Sequence, residues 1–197
     1  IFIFLAPILG MVMALLFSMI TLWIVRNMNP RKVDKYFRKL QLLSAAVYSL
    51  SHGSNDAQKT IGIITIVLFT NNMLGATFYV PFWVIIISHS VIALGTLLGG
   101  WKVIKTLGMR VTKLTPFGGF SAETAAGLTI IGATLGGIPV STTHTITGSI
   151  IGVGSIKGFS AVRWGVAKNI LWAWVLTIPL SAFFAMLTYL IATGIFN

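Results

Sequence analysis

Residues 136–145 read GGIPVSTTHT, and the first four of them, GGIP, separate two apolar stretches, residues 121–135 and 141–154. Each stretch has about 15 residues, whereas a bilayer core about 30 Å thick needs about 20 apolar residues of helix. Gly and Pro at the junction end one helix and favour a turn. Because basic segments flank both stretches, the chain crosses the membrane here an even number of times or not at all. The pattern predicts a re-entrant helical hairpin over residues 121–155.

A re-entrant hairpin exposes backbone at its tip, which is tolerated only where protein or a watery cavity receives it. We therefore expect the hairpin to pack inside a helix bundle. Three Gly-x-x-x-Gly pairs have the spacing that lets membrane helices approach closely. They are Gly95 with Gly99, Gly132 with Gly136, and Gly148 with Gly152.

Apolar stretches and basic clusters predict the rest of the fold, an all-α polytopic membrane protein. Lys and Arg concentrate in residues 26–39, 102–113 and 157–168, which the positive-inside rule places in the cytoplasm. A polar run at residues 51–59 interrupts the apolar region of residues 40–70. As one straight helix this region would be about 46 Å long, more than an upright span needs, so a break or strong tilt is expected.

The predicted segments alternate between the membrane and the cytoplasmic or outer side. They are a transmembrane helix (1–25), a cytoplasmic basic loop (26–39), a broken transmembrane helix (40–72), an outer loop with a transmembrane helix (73–100), a second basic loop (101–120), the re-entrant hairpin (121–155), a third cytoplasmic loop (156–168) and a last transmembrane helix (169–197).

Composition excludes several classes of protein. Hydrophobic residues make up 56% of the 197 residues and charged residues 9%, whereas about a quarter of an ordinary soluble protein is charged. The net charge of +11 lies in short clusters between apolar runs, which argues against nucleic-acid binding. Without cysteine, the chain has no disulfide, zinc-ribbon or iron–sulfur site of its own. It begins within an apolar run, and we expect a fragment of a longer protein.

Asp56 is a carboxylate expected at membrane depth. Such a group is costly unless paired or ligated, so Asp56 marks a functional site. Asn55 and nearby hydroxyl and carbonyl oxygens complete the ligand types of a hard cation, with a proton as the rival ion. The alternative is an ion pair with Lys59, three residues on. A second acid, Glu123, is expected at a helix start capped by Ser121, where it meets the positive end of the dipole.

Ser141, Thr142 and Thr143 open the second helix of the predicted hairpin. Unpaired N–H groups, the positive end of the helix dipole and hydroxyl donors coincide there, and this arrangement binds phosphate-like anions. In the alternative, one hydroxyl caps the helix and others bond back to carbonyls. This tip and Asp56 both lie about 15 to 20 residues from the cytoplasmic face, which puts them at one depth near the midplane. Adjacent cation and anion sites predict a symporter.

Three motifs resemble those of the inorganic phosphate transporter family, the PiT type. Residues 51–59, SHGSNDAQK, are similar to the family's Gly-x-Asn-Asp signature in the bacterial form of its second repeat. Residues 119–123, GFSAE, and 139–144, PVSTTH, resemble its other hallmark segments in the same order. The resemblance covers nearly the whole chain from Arg31 onward. It implies the C-terminal half of an inverted-repeat transporter whose two halves share one central site and alternate in access.

The resemblance also implies the ligands. Carried over, the phosphate ligands are Ser141, Thr142, Thr143 and Gln58, and the cation ligands, for sodium if uptake is sodium-coupled, are Asn55 and Asp56. The implied partners are inorganic phosphate, a coupling cation (sodium or proton), the N-terminal half of the same transporter and the lipid bilayer, with a homodimer left open. The implied location is the cell membrane, and no cofactor or nucleic-acid partner is expected.

Other functions stay open from the residues alone. The chain could belong to an ion or anion channel with the hairpin as its selectivity loop, or to a carrier for another oxyanion. An enzyme is not expected, because Ser141 and His144 lie on one helix with no evident oxyanion hole and no cluster of metal ligands.

Overall fold

The computed structural model describes the backbone of residues 2–196 and the side chains of residues 2–194, and this part of the chain forms helices and no strand. The helices are α1 (Phe2–Val25), α2 (Pro30–Thr70), α3 (Phe82–Lys105), α4 (Pro116–Leu135), α5 (Thr142–Ile156) and α6 (Trp164–Phe196). A π-helical turn, Thr106–Val111, continues α3, and a 3-10 turn, Phe159–Ala161, follows α5. The segments long and apolar enough to cross a membrane are Phe2–Val25, Phe82–Val111 and Trp164–Gly194.

The helices fall into two compact units, one ending at Val162 and one that contains α6. In the first unit the most extensive pairings join α1 to α5 and α2 to α4, and α4 also packs on α5. α2 packs on α3 through Ala57, Ile61 and Val84. The two helices of the predicted hairpin are therefore held between α1 and α2.

Small residues bring α1 and α5 into backbone contact. A Cβ on Gly148 would meet the backbone of Pro7, and a Cβ on Gly152 would lie 2.5 Å from the carbonyl oxygen of Met11. A Cβ on Gly10 of α1 would likewise meet the carbonyl oxygen of Thr145 in α5. The carbonyl of Gly10 accepts a hydrogen bond from the hydroxyl of Ser149 at 3.0 Å. The predicted close packing of the Gly148 and Gly152 pair is confirmed.

The other two Gly-x-x-x-Gly pairs do not lie at helix contacts among the described residues. A Cβ added to Gly95, Gly99 or Gly132 would have no heavy atom within 4 Å, and one on Gly136 would meet only atoms of residues 132–138. The expectation of close packing is wrong for these pairs within this chain. The spacing places two glycines on one face of a helix, but tertiary structure decides which face meets a neighbour.

α2 is one unbroken helix. Of the break or strong tilt expected within residues 40–72, the break is therefore wrong, and the tilt stays a prediction. The polar run finds partners without unwinding. The hydroxyl of Ser51 donates to the carbonyl of Val47 at 2.8 Å, and the amide of Asn55 donates to the carbonyl of Val140 at 3.0 Å. Because these side chains are satisfied by the helix itself and by the α4–α5 loop, the backbone stays helical.

α2 also takes in most of the segment predicted as a basic loop, residues 26–39. Asn29 caps the helix by accepting the backbone N–H of Arg31 at 3.0 Å, and Pro30 stands at the first helical position. Arg38 pairs with Asp34 at 2.9 Å across one turn. A strong start signal and an i,i+4 ion pair therefore extend the helix into the basic segment.

α4 and α5 form a helical hairpin at the predicted place, joined by residues 136–141. Gly137 has φ +68, and the N–H of Ile138 donates to the carbonyl of Ala133 at 2.9 Å, a glycine-terminated helix end. How this hairpin lies in the bilayer stays a prediction.

α4 begins earlier than predicted. Thr115 is its N-cap, with Oγ1 accepting the N–H of Gly118 at 3.3 Å, and Pro116 follows at the first helical position. Ser121 is fully buried inside the helix, so the expectation that it caps α4 is wrong. The Thr-Pro pair supplies a better start signal, because Pro has no N–H to satisfy.

The basic segments meet at one end of the first unit. The ring of Phe37, next to Arg38, lies 5.1 Å from Phe117 and 5.2 Å from Phe120, which joins the first turns of α2 to the start of α4. The hydroxyl of Thr112 donates to the carbonyl of Ala161 at 3.1 Å, which joins the segments before α4 and after α5. That the basic segments share one side of the membrane stays a prediction.

Candidate functional site

Asp56, in the middle of α2, is surrounded by hydrogen-bond donors. Its Oδ2 lies 2.9 Å from Nε2 of His52 and accepts the hydroxyl of Thr142 at 3.1 Å. Its Oδ1 lies 3.2 Å from Nζ of Lys59 and 3.4 Å from Nδ2 of Asn55. With His52 in its Nε2–H tautomer, these contacts fill the roughly four acceptor positions of a carboxylate.

The carbonyl oxygen of Val140 is a second acceptor beside Asp56. It accepts Nδ2 of Asn55 at 3.0 Å and Nζ of Lys59 at 2.8 Å. Asn55 is buried, and Val140 packs in a small apolar cluster with Ala6 and Ile130. Two side chains of α2 thus tie down the loop that leads into α5.

Helix α5 starts next to the Asp56 carboxylate. Ser141 is its N-cap, with Oγ accepting the N–H of His144 at 3.4 Å, so the capping alternative holds for Ser141. Thr145 bonds back to the carbonyl of Ser141 at 3.0 Å. The side chain of Thr142 is 2% exposed and points at Asp56. A helix start of this kind offers N–H groups and a positive dipole end to an anion.

Only some of the predicted ligands lie next to one another in the structure. The structure brings together Asn55, Asp56 and Thr142, with Ser141 adjacent in the chain. Thr143 and Gln58 are exposed and are not among the hydrogen-bond partners of Asp56. The binding roles of all six residues stay predictions.

The cluster around Asp56 is half-buried and pairs one carboxylate with one ammonium. The side chains of His52, Asp56 and Lys59 are 34%, 33% and 42% exposed. No group of three His, Cys, Asp or Glu residues able to hold a metal ion occurs in residues 2–194. A metal cation at Asp56 would therefore need carbonyl, amide or hydroxyl oxygens as its other ligands.

Glu123 belongs to a separate polar contact between α2 and α4. Its Oε2 accepts the hydroxyl of Ser44 at 2.6 Å, a short charge-assisted bond. Ser44 precedes Asp56 by about 18 Å along α2. Glu123 therefore joins two helices and does not enter the Asp56 cluster.

Of two contacts in the site, one is predictable from the sequence and the other is not among the sequence-based predictions. The ion pair of Asp56 with Lys59 follows from their i,i+3 spacing and is present. The role of the Val140 carbonyl was not predicted. A signal for it was available, because Val140 follows Pro139 outside any helix and its carbonyl needs a partner from elsewhere.

The chain is similar in sequence to known proteins. Residues 1–185 match the model of the phosphate transporter family. A probable low-affinity inorganic phosphate transporter of Rhizobium meliloti (strain 1021) is 54% identical over 187 residues, covering 95% of this chain and 56% of that protein. The probable low-affinity inorganic phosphate transporter of Bacillus subtilis (strain 168) is 42% identical, covering 98% of this chain and 58% of that protein.

A solved structure, "The sodium-dependent phosphate transporter", has the same fold with a TM-score of 0.65 and 27% identity, covering 88% of this chain and 52% of that one. The chain spans about half the length of the curated relatives it matches. These relatives carry the names of transporters and not of enzymes, as expected, and an all-α integral membrane protein is confirmed. The family match extends over nearly the whole chain and includes both helices that meet at Asp56, and this chain therefore belongs to the phosphate transporter family.

Proposed function

We propose that the protein to which this chain belongs is a cation-coupled symporter of inorganic phosphate in the cell membrane. Asp56 and the start of α5 form this chain's part of the binding site. The observation that carries the proposal is the 3.1 Å hydrogen bond from Thr142 to Asp56, because it joins a helix N-terminus to a carboxylate cluster. An anion and a cation can be held side by side at such a junction.

The membrane potential explains why phosphate would be carried together with cations. Moving a phosphate dianion into a cell against 100 mV, inside negative, costs about 4.6 kcal/mol, twice the figure for one charge. Two cotransported cations cancel this cost, and a third adds electrical drive. Phosphate would bind at the first turn of α5 through N–H groups and the hydroxyls of Ser141, Thr142 and Thr143, with Gln58 at the margin.

The remainder of the longer protein would complete the site, and the α4–α5 hairpin would reach it as a re-entrant element. Alternating access would come from rocking of the two repeats around the site. α6 exposes Trp172, Phe183 and Phe184, which suits lipid or a second copy in a homodimer.

The test is uptake of radiolabelled phosphate by the full-length parent in proteoliposomes, with sodium and proton gradients imposed separately. We expect a cation gradient to drive phosphate above its equilibrium level and Asp56→Ala to abolish this accumulation. Lys35→Gln is the matched control, because Lys35 is exposed on α2 and remote from the site. Saturable flux that never exceeds equilibrium would identify a channel, and absence of phosphate flux under every gradient would refute the proposal.

A further inference from the structure

Lys59 occupies a position with two oxygen neighbours of the kind that bind cations. Its Nζ lies 3.2 Å from Oδ1 of Asp56 and donates to the carbonyl oxygen of Val140 at 2.8 Å. A carboxylate and a loop carbonyl are typical ligands of a hard cation in a membrane transporter. The ammonium group thus lies where a metal cation would bridge α2 and the loop before α5.

The other contacts of these oxygens leave little room for a metal ion. The second oxygen of Asp56 faces His52 and Thr142. Asn55 contributes its NH₂ group, a donor, to both Asp56 and Val140. A metal ion binds acceptor atoms, whereas each group that faces Asp56 here presents a hydrogen. These donors occupy the lone pairs of the carboxylate, and the acceptors left beside Nζ, Oδ1 of Asp56 and the carbonyl oxygen of Val140, are already bonded to Lys59.

Charge leads to the same conclusion. Within this cluster Asp56 is the sole carboxylate in contact with Lys59, since Glu123 bonds to Ser44, which lies nearer the start of α2. One negative charge is balanced by one ammonium, and a sodium ion added within a few ångströms of Nζ would be repelled in a half-buried site. Sodium could enter only if Lys59 moved away.

We propose that the ammonium of Lys59 is a tethered cation that takes the place of sodium between Asp56 and Val140, so that phosphate uptake does not require sodium at this site. The inference rests on the proposed function and deepens it, because it removes one candidate coupling ion from Asp56. Asp56 then holds the loop before α5 through Lys59, and Asn55 holds it directly through Val140. The sodium ligands expected from the sequence are occupied by the protein itself.

The experiment measures the ratio of initial phosphate uptake in sodium medium to that in choline medium of equal osmolarity. The full-length parent is used in proteoliposomes at fixed pH and potential. We expect a ratio near one for the unaltered protein and a ratio of about ten or more for Lys59→Gln, because the vacated position then offers the carboxylate of Asp56 and the carbonyl oxygen of Val140 to sodium. Lys59→Arg keeps the charge and should keep a ratio near one. Lys35→Gln on the same helix should leave the ratio unchanged.

A binding measurement covers variants that fold but do not transport. Binding of radioactive sodium to the purified parent should be weak in the unaltered protein, appear in Lys59→Gln and disappear again in the double variant Lys59→Gln, Asp56→Asn. Sodium stimulation of the unaltered protein that persists in Lys59→Gln would overturn the inference. A weaker affinity for phosphate in Lys59→Gln without a sodium response would also overturn it, because Lys59 would then act on phosphate directly.

These outcomes are distinct from failure of the proposed function. If the parent transports phosphate but needs sodium through Asp56, only the inference fails. If it moves no phosphate under any gradient, the proposed function fails, and the sodium-binding measurement still decides whether Lys59 occupies a cation position.

Discussion

The hydroxyl of Thr142 is the group through which α5 contacts the Asp56 carboxylate. It is almost fully buried, and its bond to Oδ2 joins two residues that are 86 positions apart in the chain. A hydrogen bond to a charged group contributes about 1.5–3 kcal/mol. We therefore expect replacement of this one side chain to have a measurable effect on phosphate uptake.

Thr142→Val keeps the shape of the side chain and removes its donor. We expect phosphate uptake by the parent to fall about 10- to 100-fold, which corresponds to 1.5–3 kcal/mol. Thr142→Ser keeps the hydroxyl and should retain most of the uptake. Equal loss in the two variants, measured as initial rates in proteoliposomes, would show that the methyl group and not the hydroxyl matters.

At the scale of helices, backbone contact decides how α1 and α5 pair. The contact uses glycines on both helices, so that the carbonyl of Pro7 approaches the Cα of Gly148 directly. Such packing is sensitive to a single methyl group, because the obstructing atoms are backbone and cannot turn aside.

Gly148→Ala should destabilise the first unit by about 1–3 kcal/mol, the usual range for overpacking. Gly95→Ala is the matched control on α3, because its Cβ would have no heavy atom within 4 Å. Replacing that helical glycine should be neutral or stabilising by about 0.5–1 kcal/mol. Thermal unfolding of the purified parent in detergent measures both, and a lower midpoint for Gly95→Ala than for Gly148→Ala would contradict the packing described.

The continuity of α2 gives a second test at this scale. A Cβ on Gly53 would meet no heavy atom within 4 Å, and the residue is helical. Gly53→Ala should therefore stabilise the protein by about 0.5–1 kcal/mol, because alanine favours the helix. If transport instead requires α2 to unwind at Gly53, thermal stability would rise while uptake fell. We expect uptake to be retained.

At the scale of the whole molecule, the basic segments predict the orientation of the chain, with these segments on the cytoplasmic side. The chain contains no cysteine, so single cysteines report on single positions once any cysteines in the rest of the parent are replaced. Lys35→Cys and Lys157→Cys should react with a membrane-impermeant maleimide only from the cytoplasmic side. Met73→Cys, in the turn after α2, should react only from the opposite side. Labelling of all three from one side would refute the orientation.

Some features could be predicted because they depend on neighbours in the chain. The turn between α4 and α5 follows from Gly137 and Pro139, and the start of α5 follows from its hydroxyl residues. The ion pair of Asp56 with Lys59 follows from helical spacing. The predicted break in α2 failed for the opposite reason. A polar run signals unwinding only when its side chains lack partners, and Asn55 finds its partner in the distant residue Val140.

The sequence by itself determined that this is a helical membrane protein and where its helical hairpin lies, because apolar length, charge and local propensity are properties of contiguous residues. It also indicated which acid and which hydroxyl-rich helix start form the candidate site. Only the tertiary structure decided that Asp56 meets Thr142, that Val140 presents its carbonyl to Lys59, and that Glu123 pairs with Ser44. These contacts join segments about 80 residues apart, and no local pattern specifies which buried donor finds which acceptor.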